Sequence, residues 1–174
     1  MSKNILIYRT DRIGDLILTC PSIITIGKYF ENANLTLIAS DNNYEYAKKL
    51  NIFKTIYKYP KYGFFKKIYF LLSLRKKNYD YVFVFDGKER SIISAYFVNS
   101  KRKVALTQKI KFYYKYFNIS FCNDSNDVDL QTNYQNIFYK LNIKKIINNY
   151  NFLLEKEDNN YSSKIPIKKY IHIH

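Results

Sequence analysis

The chain has 174 residues, with 29 Lys+Arg against 14 Asp+Glu and a formal net charge of +15. That length gives one domain with a real core. The charge favours anionic partners such as nucleic acid, phosphorylated lipid or a membrane surface, although a chain this crowded with Lys, Asn, Ile and Tyr carries part of its charge as compositional habit. The two cysteines, Cys20 and Cys122, lie far apart and give no disulfide framework, so a reduced, cytoplasmic setting is the default. No apolar run reaches the roughly 18 residues of a membrane span, and the short run after Lys3 is broken by Arg9, which does not make a signal peptide.

Residues 4–8 are β-branched and aromatic without alternation, which predicts a strand buried on both faces. A polar loop from Arg9 to Arg12 follows. A helix begins at Gly14 or Asp15, with Leu16, Ile17, Cys20, Ile23 and Ile24 on one side and Pro21 inside it. Leu35 to Ala39 reads as a second strand, and Ser40-Asp41-Asn42-Asn43 as the entry to a short helix through Tyr44, Ala47 and Leu50. Thr55-Ile56-Tyr57 is a brief third strand. These spacings predict βαβ units and a mainly parallel sheet. Ligands of open α/β sheets sit at the carboxyl ends of the strands. Chemistry is therefore expected at Arg9 to Asp15, a loop with two arginines, a threonine and two further carboxylates.

Residues 61–77 form a second region of interest. Phe64, Phe65, Ile68, Leu71 and Leu72 share a helical face, with Lys61, Lys66, Lys67 and Arg75-Lys76-Lys77 supplying charge. A basic amphipathic helix can lie on an anionic membrane. The ordinary reading, and the one expected here, is a helix that covers the sheet with its apolar side. Tyr81 to Phe85 is the clearest buried strand and ends at Asp86-Gly87-Lys88. Asp86 is a candidate cleft residue by position at a strand end, and Asp-Gly is also a common turn. A helix through Ile92, Ile93, Tyr96 and Phe97 comes next, then a strand at Lys103 to Leu106. Residues 109–121 interleave bases and aromatics, a pattern that can stack on nucleobases. No nucleic-acid module surrounds them, so nucleic acid is the least favoured partner. Residues 129–141 read as a helix carrying Tyr134, Ile137, Phe138 and Leu141. Residues 155–164 read as a polar linker before an isolated strand, Tyr170 to His174.

The opening Ile5-Leu6-Ile7-Tyr8-Arg9-Thr10-Asp11-Arg12-Ile13-Gly14-Asp15-Leu16-Ile17-Leu18-Thr19-Cys20-Pro21 resembles the heptosyltransferase-type glycosyltransferases that extend the lipopolysaccharide inner core. Members show an apolar strand, Arg-Thr or Lys-Thr, a short loop, Gly-Asp, an apolar triplet, Thr and Pro. Lys103 to Leu106 and Asn133-Tyr134 leading to Leu141-Asn142-Ile143 follow the same order. Relatives often begin that last helix with a histidine, where Asp129 stands here. The resemblance implies an α/β Rossmann-like domain with a mainly parallel sheet, the acceptor-side half of a two-domain GT-B enzyme. It places that domain at residues 1–154, and the linker and first strand of a donor-side domain at 155–174, so a fragment or natural truncation is expected.

By the same resemblance Asp15 is the general base, accepting the proton of an attacking sugar hydroxyl. An ordinary carboxylate is ionised at neutral pH and can do this from about 3 Å. The reading from the residues alone makes Asp15 a helix cap. Arg9, Thr10, Arg12, Gly14 and Asp86 are expected on the acceptor side, where arginine pairs with carboxylates and phosphates. Lys61, Lys66 and Lys67 are expected to face an anionic glycolipid or the inner membrane surface. The donor is a nucleotide sugar, ADP-heptose by resemblance, and no cofactor is expected. No metal is expected either, because His172 and His174 alone are too few ligands and the family is metal-independent. Two other functions stay open: an inactive domain that binds acceptor or anionic lipid, partnered by a separate donor half, and a basic nucleic-acid-binding domain.

Overall fold

The computed structural model describes residues 2–107, 115, 117–122, 130–147 and 150. In chain order the elements are β1 (Asn4–Arg9), α1 (Ile13–Tyr29), β2 (Asn34–Ala39), α2 (Tyr44–Lys49), β3 (Thr55–Lys58) and α3 (Phe64–Arg75), then β4 (Tyr79–Val84), α4 (Glu89–Phe97), β5 (Ser100–Thr107), β6 (Ile119–Cys122) and α5 (Leu130–Lys140). The six strands form one sheet in the order β3-β2-β1-β4-β5-β6. All its pairings are parallel, with Tyr8 opposite Ile38 on one side and Val84 on the other.

The chain winds outward from β1 to β3, then returns to place β4 against the free side of β1. Right-handed crossovers in opposite directions put their helices on opposite faces. Ile5, Ile7, Phe83 and Phe85 pack on one face with Leu16, Cys20 and Ile23 of α1 and Tyr134, Ile137 and Phe138 of α5. Leu6, Tyr8, Val82 and Val84 pack on the other with Leu74 of α3 and Ile92 and Ala95 of α4. This explains the unbroken apolar runs of β1 and β4, since alternate residues face two different cores. The buried Tyr8 hydroxyl is satisfied by Ser94 Oγ at 2.9 Å. Gly27 lets α1 lie close to β2, because a Cβ there would stand 3.2 Å from Leu35 Cδ1.

Three features differ from the expectations. Helix α1 starts at Ile13, one residue early, with Pro21 inside it as expected. Strand β6 overlaps the end of the stretch read as a basic aromatic run and was not expected there. The apolar face of α3 does not cover the sheet. Leu74 is its buried residue, whereas Phe64, Phe65, Ile68 and Leu72 are exposed. Amphipathic spacing shows that a stripe exists but not what it faces. The expected linker and strand at 155–174, most of 109–121, Asp129 and both histidines lie outside the described residues.

Candidate active site

The sheet reverses its winding between β1 and β4, and that switch point opens at the strands' carboxyl ends. Ligands of open α/β sheets bind in this crevice. The two adjoining segments are Arg9 to Asp15 and Phe85 to Ser91. They are stitched together by side chains rather than by ladder bonds.

Arg9 is 2 % exposed, and all of its bonds are internal. Its Nη1 donates to the Phe85 carbonyl at 2.7 Å and its Nε to the Asp15 carbonyl at 3.1 Å. The guanidinium also lies 3.3 Å from Asp11 Oδ1 and 3.9 Å from Asp15 Oδ1. A planar fork with donors on several edges suits this task, which a lysine could not perform. The Arg9 carbonyl accepts from Asn43 Nδ2 at 2.8 Å, so the start of α2 is tied to the end of β1.

Asp86 is the second staple. Its Oδ2 accepts from the Thr10 amide at 3.0 Å, the Thr10 hydroxyl at 2.6 Å and Ser91 Oγ at 2.7 Å. Its Oδ1 accepts from the Lys88 amide at 3.1 Å, which closes a turn over Gly87, whose φ of 60° favours glycine. Asp86 is therefore both turn former and cross-strand clamp. Lys88 Nζ and Arg90 Nη2 each donate to the Thr10 carbonyl at 3.0 Å. They bring two cations to the crevice that the sequence reading did not single out. Arg90 also stands over the Tyr59 ring, 5.4 Å from its centroid.

Asp15 lies at the mouth, in the first turn of α1. It is not the N-cap; Arg12 holds that position, and Asp15 reaches back so that Oδ2 accepts from the Arg12 amide at 3.3 Å. The Arg12 guanidinium, 89 % exposed, lies 3.7 Å from the same oxygen. The Asp15 backbone is held from beneath. Its carbonyl accepts from the Thr19 hydroxyl at 2.7 Å as well as from Arg9. Because Thr19 donates there, the Tyr134 hydroxyl donates to Thr19 Oγ1 at 3.0 Å. Burial pushes the Tyr134 hydroxyl up to about 12, so it remains a donor at neutral pH. The chain Tyr134–Thr19–Asp15, met by Arg9, fixes the peptide and leaves the partly exposed carboxylate able to accept another hydrogen bond.

Burial raises the Asp11 carboxyl above its ordinary value, with Arg9 opposing the shift. Its buried Oδ1 has the Arg9 ion pair but no hydrogen bond. A Cβ on Gly14 would meet nothing within 4 Å, so neither packing nor backbone conformation requires glycine there.

Of the expected acceptor-side residues, Arg12 and Gly14 are exposed beside Asp15, while Arg9, Thr10 and Asp86 form the support behind them. Lys61, Lys66 and Lys67 belong to the α3 region instead. Arg90, Ser91, Asn43, Thr19 and Tyr134 are site or support residues missed in the sequence. Tyr134 carried a signal as a tyrosine on a predicted core helix needing a partner for its hydroxyl, Asn43 stood in the expected helix entry and Thr19 in the opening motif, whereas Ser91 and Arg90 carried none. Among the described residues no group of three His, Cys, Asp or Glu could hold a metal ion.

No protein-family model matches the sequence, and no curated protein matches it. Solved structures do match. The E. coli heptosyltransferase WaaC with ADP aligns with TM-score 0.63 and 16 % identity, over 79 % of this chain and 46 % of that one. A glycosyl transferase family 9 protein from Veillonella parvula gives 0.63 and 16 %, over 82 % and 42 %. The E. coli ADP-heptose lps heptosyltransferase II gives 0.58 and 16 %, over 71 % and 35 %. This chain thus spans less than half the length of these three structures. Identities this low establish the fold alone: the chain has the parallel α/β Rossmann-like architecture of the amino-terminal half of GT-B heptosyltransferase structures.

Proposed function

We propose that this chain is the acceptor-side half of a heptosyltransferase-like glycosyltransferase. It acts at the cytoplasmic face of the inner membrane on an anionic core saccharide carried by a glycolipid. The observation that carries this reading is the partly exposed Asp15 carboxylate at the switch-point mouth, held by its backbone and flanked by Arg12. In transfer the acceptor hydroxyl attacks the anomeric carbon of a nucleotide sugar, ADP-heptose in this reading. The bond from that carbon to the leaving diphosphate breaks as the new glycosidic bond forms. Asp15 takes the hydroxyl proton. Arg12 pairs with carboxylate or phosphate on the acceptor, and Lys88 and Arg90 add positive potential at the mouth. Arg9, Thr10 and Asp86 position these groups. Gly14 leaves open space where a saccharide can approach the α1 backbone. The donor is held by a second half, in the same or a separate polypeptide.

The test is calorimetric titration with a deacylated, phosphorylated inner-core saccharide. Arg12→Ala is expected to weaken binding by about tenfold, the scale of one charge-assisted contact. Gly14→Ala should also weaken it without lowering stability, since alanine is the better helix former. With a donor-binding half supplied, Asp15→Asn is expected to lower transfer by about 10²–10⁴-fold while binding changes little. Binding that ignores Arg12→Ala and Gly14→Ala would contradict the site. Retained transfer in Asp15→Asn would remove the base, and no transfer by the unaltered chain under those conditions would leave an acceptor-binding domain only.

A further inference from the structure

A surface helix normally turns its apolar stripe to the core and its charges to water. Helix α3 turns most of its apolar stripe to water as well as its charges. At about 100° per residue, Phe65, Ile68, Tyr69 and Leu72 share one arc, with Phe64 at its edge. Phe64 is 73 % exposed, Phe65 82 %, Tyr69 77 % and Leu72 51 %. The opposite arc carries Leu74 and Phe70, which reach the core. A contiguous apolar strip of this kind marks an interaction surface. Its surroundings are of one sign: from Lys54 to Lys77 the chain has no acidic residue, and Lys61, Lys66 and Arg75 stand exposed beside the strip.

We propose that the outward face of α3 docks on an anionic lipid bilayer. Phe64, Phe65, Ile68, Tyr69 and Leu72 enter the boundary between headgroups and acyl chains, and the flanking cations meet lipid phosphates. Apolar side chains flanked by excess positive charge fit a bilayer surface better than a second copy of this chain, whose own α3 region carries the same charge. The placement also suits a lipid-linked substrate. Helix α3 follows β3, so it starts at the carboxyl edge of the sheet, where the crevice opens. Tyr59 connects the two regions, with Arg90 over its ring and Phe70 of α3 at 5.7 Å. Docking would hold the crevice near the headgroups while the acyl chains stay in the bilayer. This last point rests on the proposed acceptor role; the docking itself does not.

The test uses the full chain and vesicles that contain no saccharide acceptor, so its result is independent of the crevice. The sequence has no tryptophan, and Phe65→Trp therefore installs a single reporter. Its emission is expected to shift to the blue with vesicles of phosphatidylcholine and phosphatidylglycerol, and much less with phosphatidylcholine alone. Combined Phe64→Ser and Phe65→Ser substitutions are expected to lower partitioning into the mixed vesicles about tenfold or more. Asp15→Ala should partition like the unaltered chain. Three results would overturn the proposal: partitioning indifferent to the serine substitutions, reporter emission already blue without vesicles because another part of the chain covers the strip, or a blue shift that follows protein concentration because a second copy does.

Discussion

Arg9 at the end of β1 is a buried cation, and Phe65 in α3 is an exposed aromatic ring. Each stands against the usual preference of its residue type. The guanidinium has a reason within the chain: it binds the Phe85 and Asp15 carbonyls and lies against the Asp11 carboxylate. The ring has a neighbouring Phe64 edge at 5.8 Å, but the strip it belongs to faces outward. Arg9 thus builds the loop structure, whereas Phe65 presents a surface. A charge removed from water and fully bonded is structural, however functional its sequence position looks. Apolar groups left in water point to something outside the domain.

The largest effect is expected at Arg9. Arg9→Ala is expected to destabilise the fold by about 3 kcal/mol, because it leaves buried carbonyls and the Asp11 carboxylate without their partner. Urea unfolding measures this, and Arg9→Lys should recover only part of the loss. An Arg9→Ala chain as stable as the parent, but deficient in saccharide binding, would make Arg9 a ligand contact instead. The combined Phe64→Ser and Phe65→Ser change is expected to move stability by no more than about 0.5 kcal/mol, as for exposed positions away from the core. A large loss would show that the strip is packed in solution.

The smallest effect concerns Asp11. Its carboxyl is raised on folding, so the folded state holds more protons than the unfolded state between the two values. Stability from this group is present below the unfolded value, near 4, and is lost as pH rises through the folded value. Asp11→Asn removes that dependence. The stability of the variant relative to the parent is therefore expected to improve from pH 4 upward and then level off. A relative stability that falls over this interval would mean the Arg9 pairing outweighs burial.

Much of this was legible in the sequence, for identifiable reasons. Strands β1 and β4 stood out because both faces of each are covered, giving unbroken apolar runs. Helix α5 was legible because Tyr134, Ile137, Phe138 and Leu141 keep helical spacing and all are buried. The position of the loop after β1 at the carboxyl ends of the strands was legible, since it follows from strand order. What the loop residues do was not legible. Nothing local distinguishes Arg9, locked by a carbonyl 76 positions away, from Arg12, open to solvent. Lys88 and Arg90 enter the crevice only because β4 pairs with β1. The orientation of α3 escaped for a related reason: Leu74 and Phe70 meet the sheet through contacts that periodicity does not encode.

In the proposed function an anionic acceptor binds at the switch-point mouth. The most direct measurement is a titration of the nitrogen-15-labelled chain with the deacylated, phosphorylated saccharide, followed by amide shifts. Saturable shifts concentrated at Arg12 to Leu16 and Gly87 to Arg90, retained at moderate salt, are the predicted result. Shifts scattered over the lysine-bearing surface, or confined to α3, and erased by salt would contradict it.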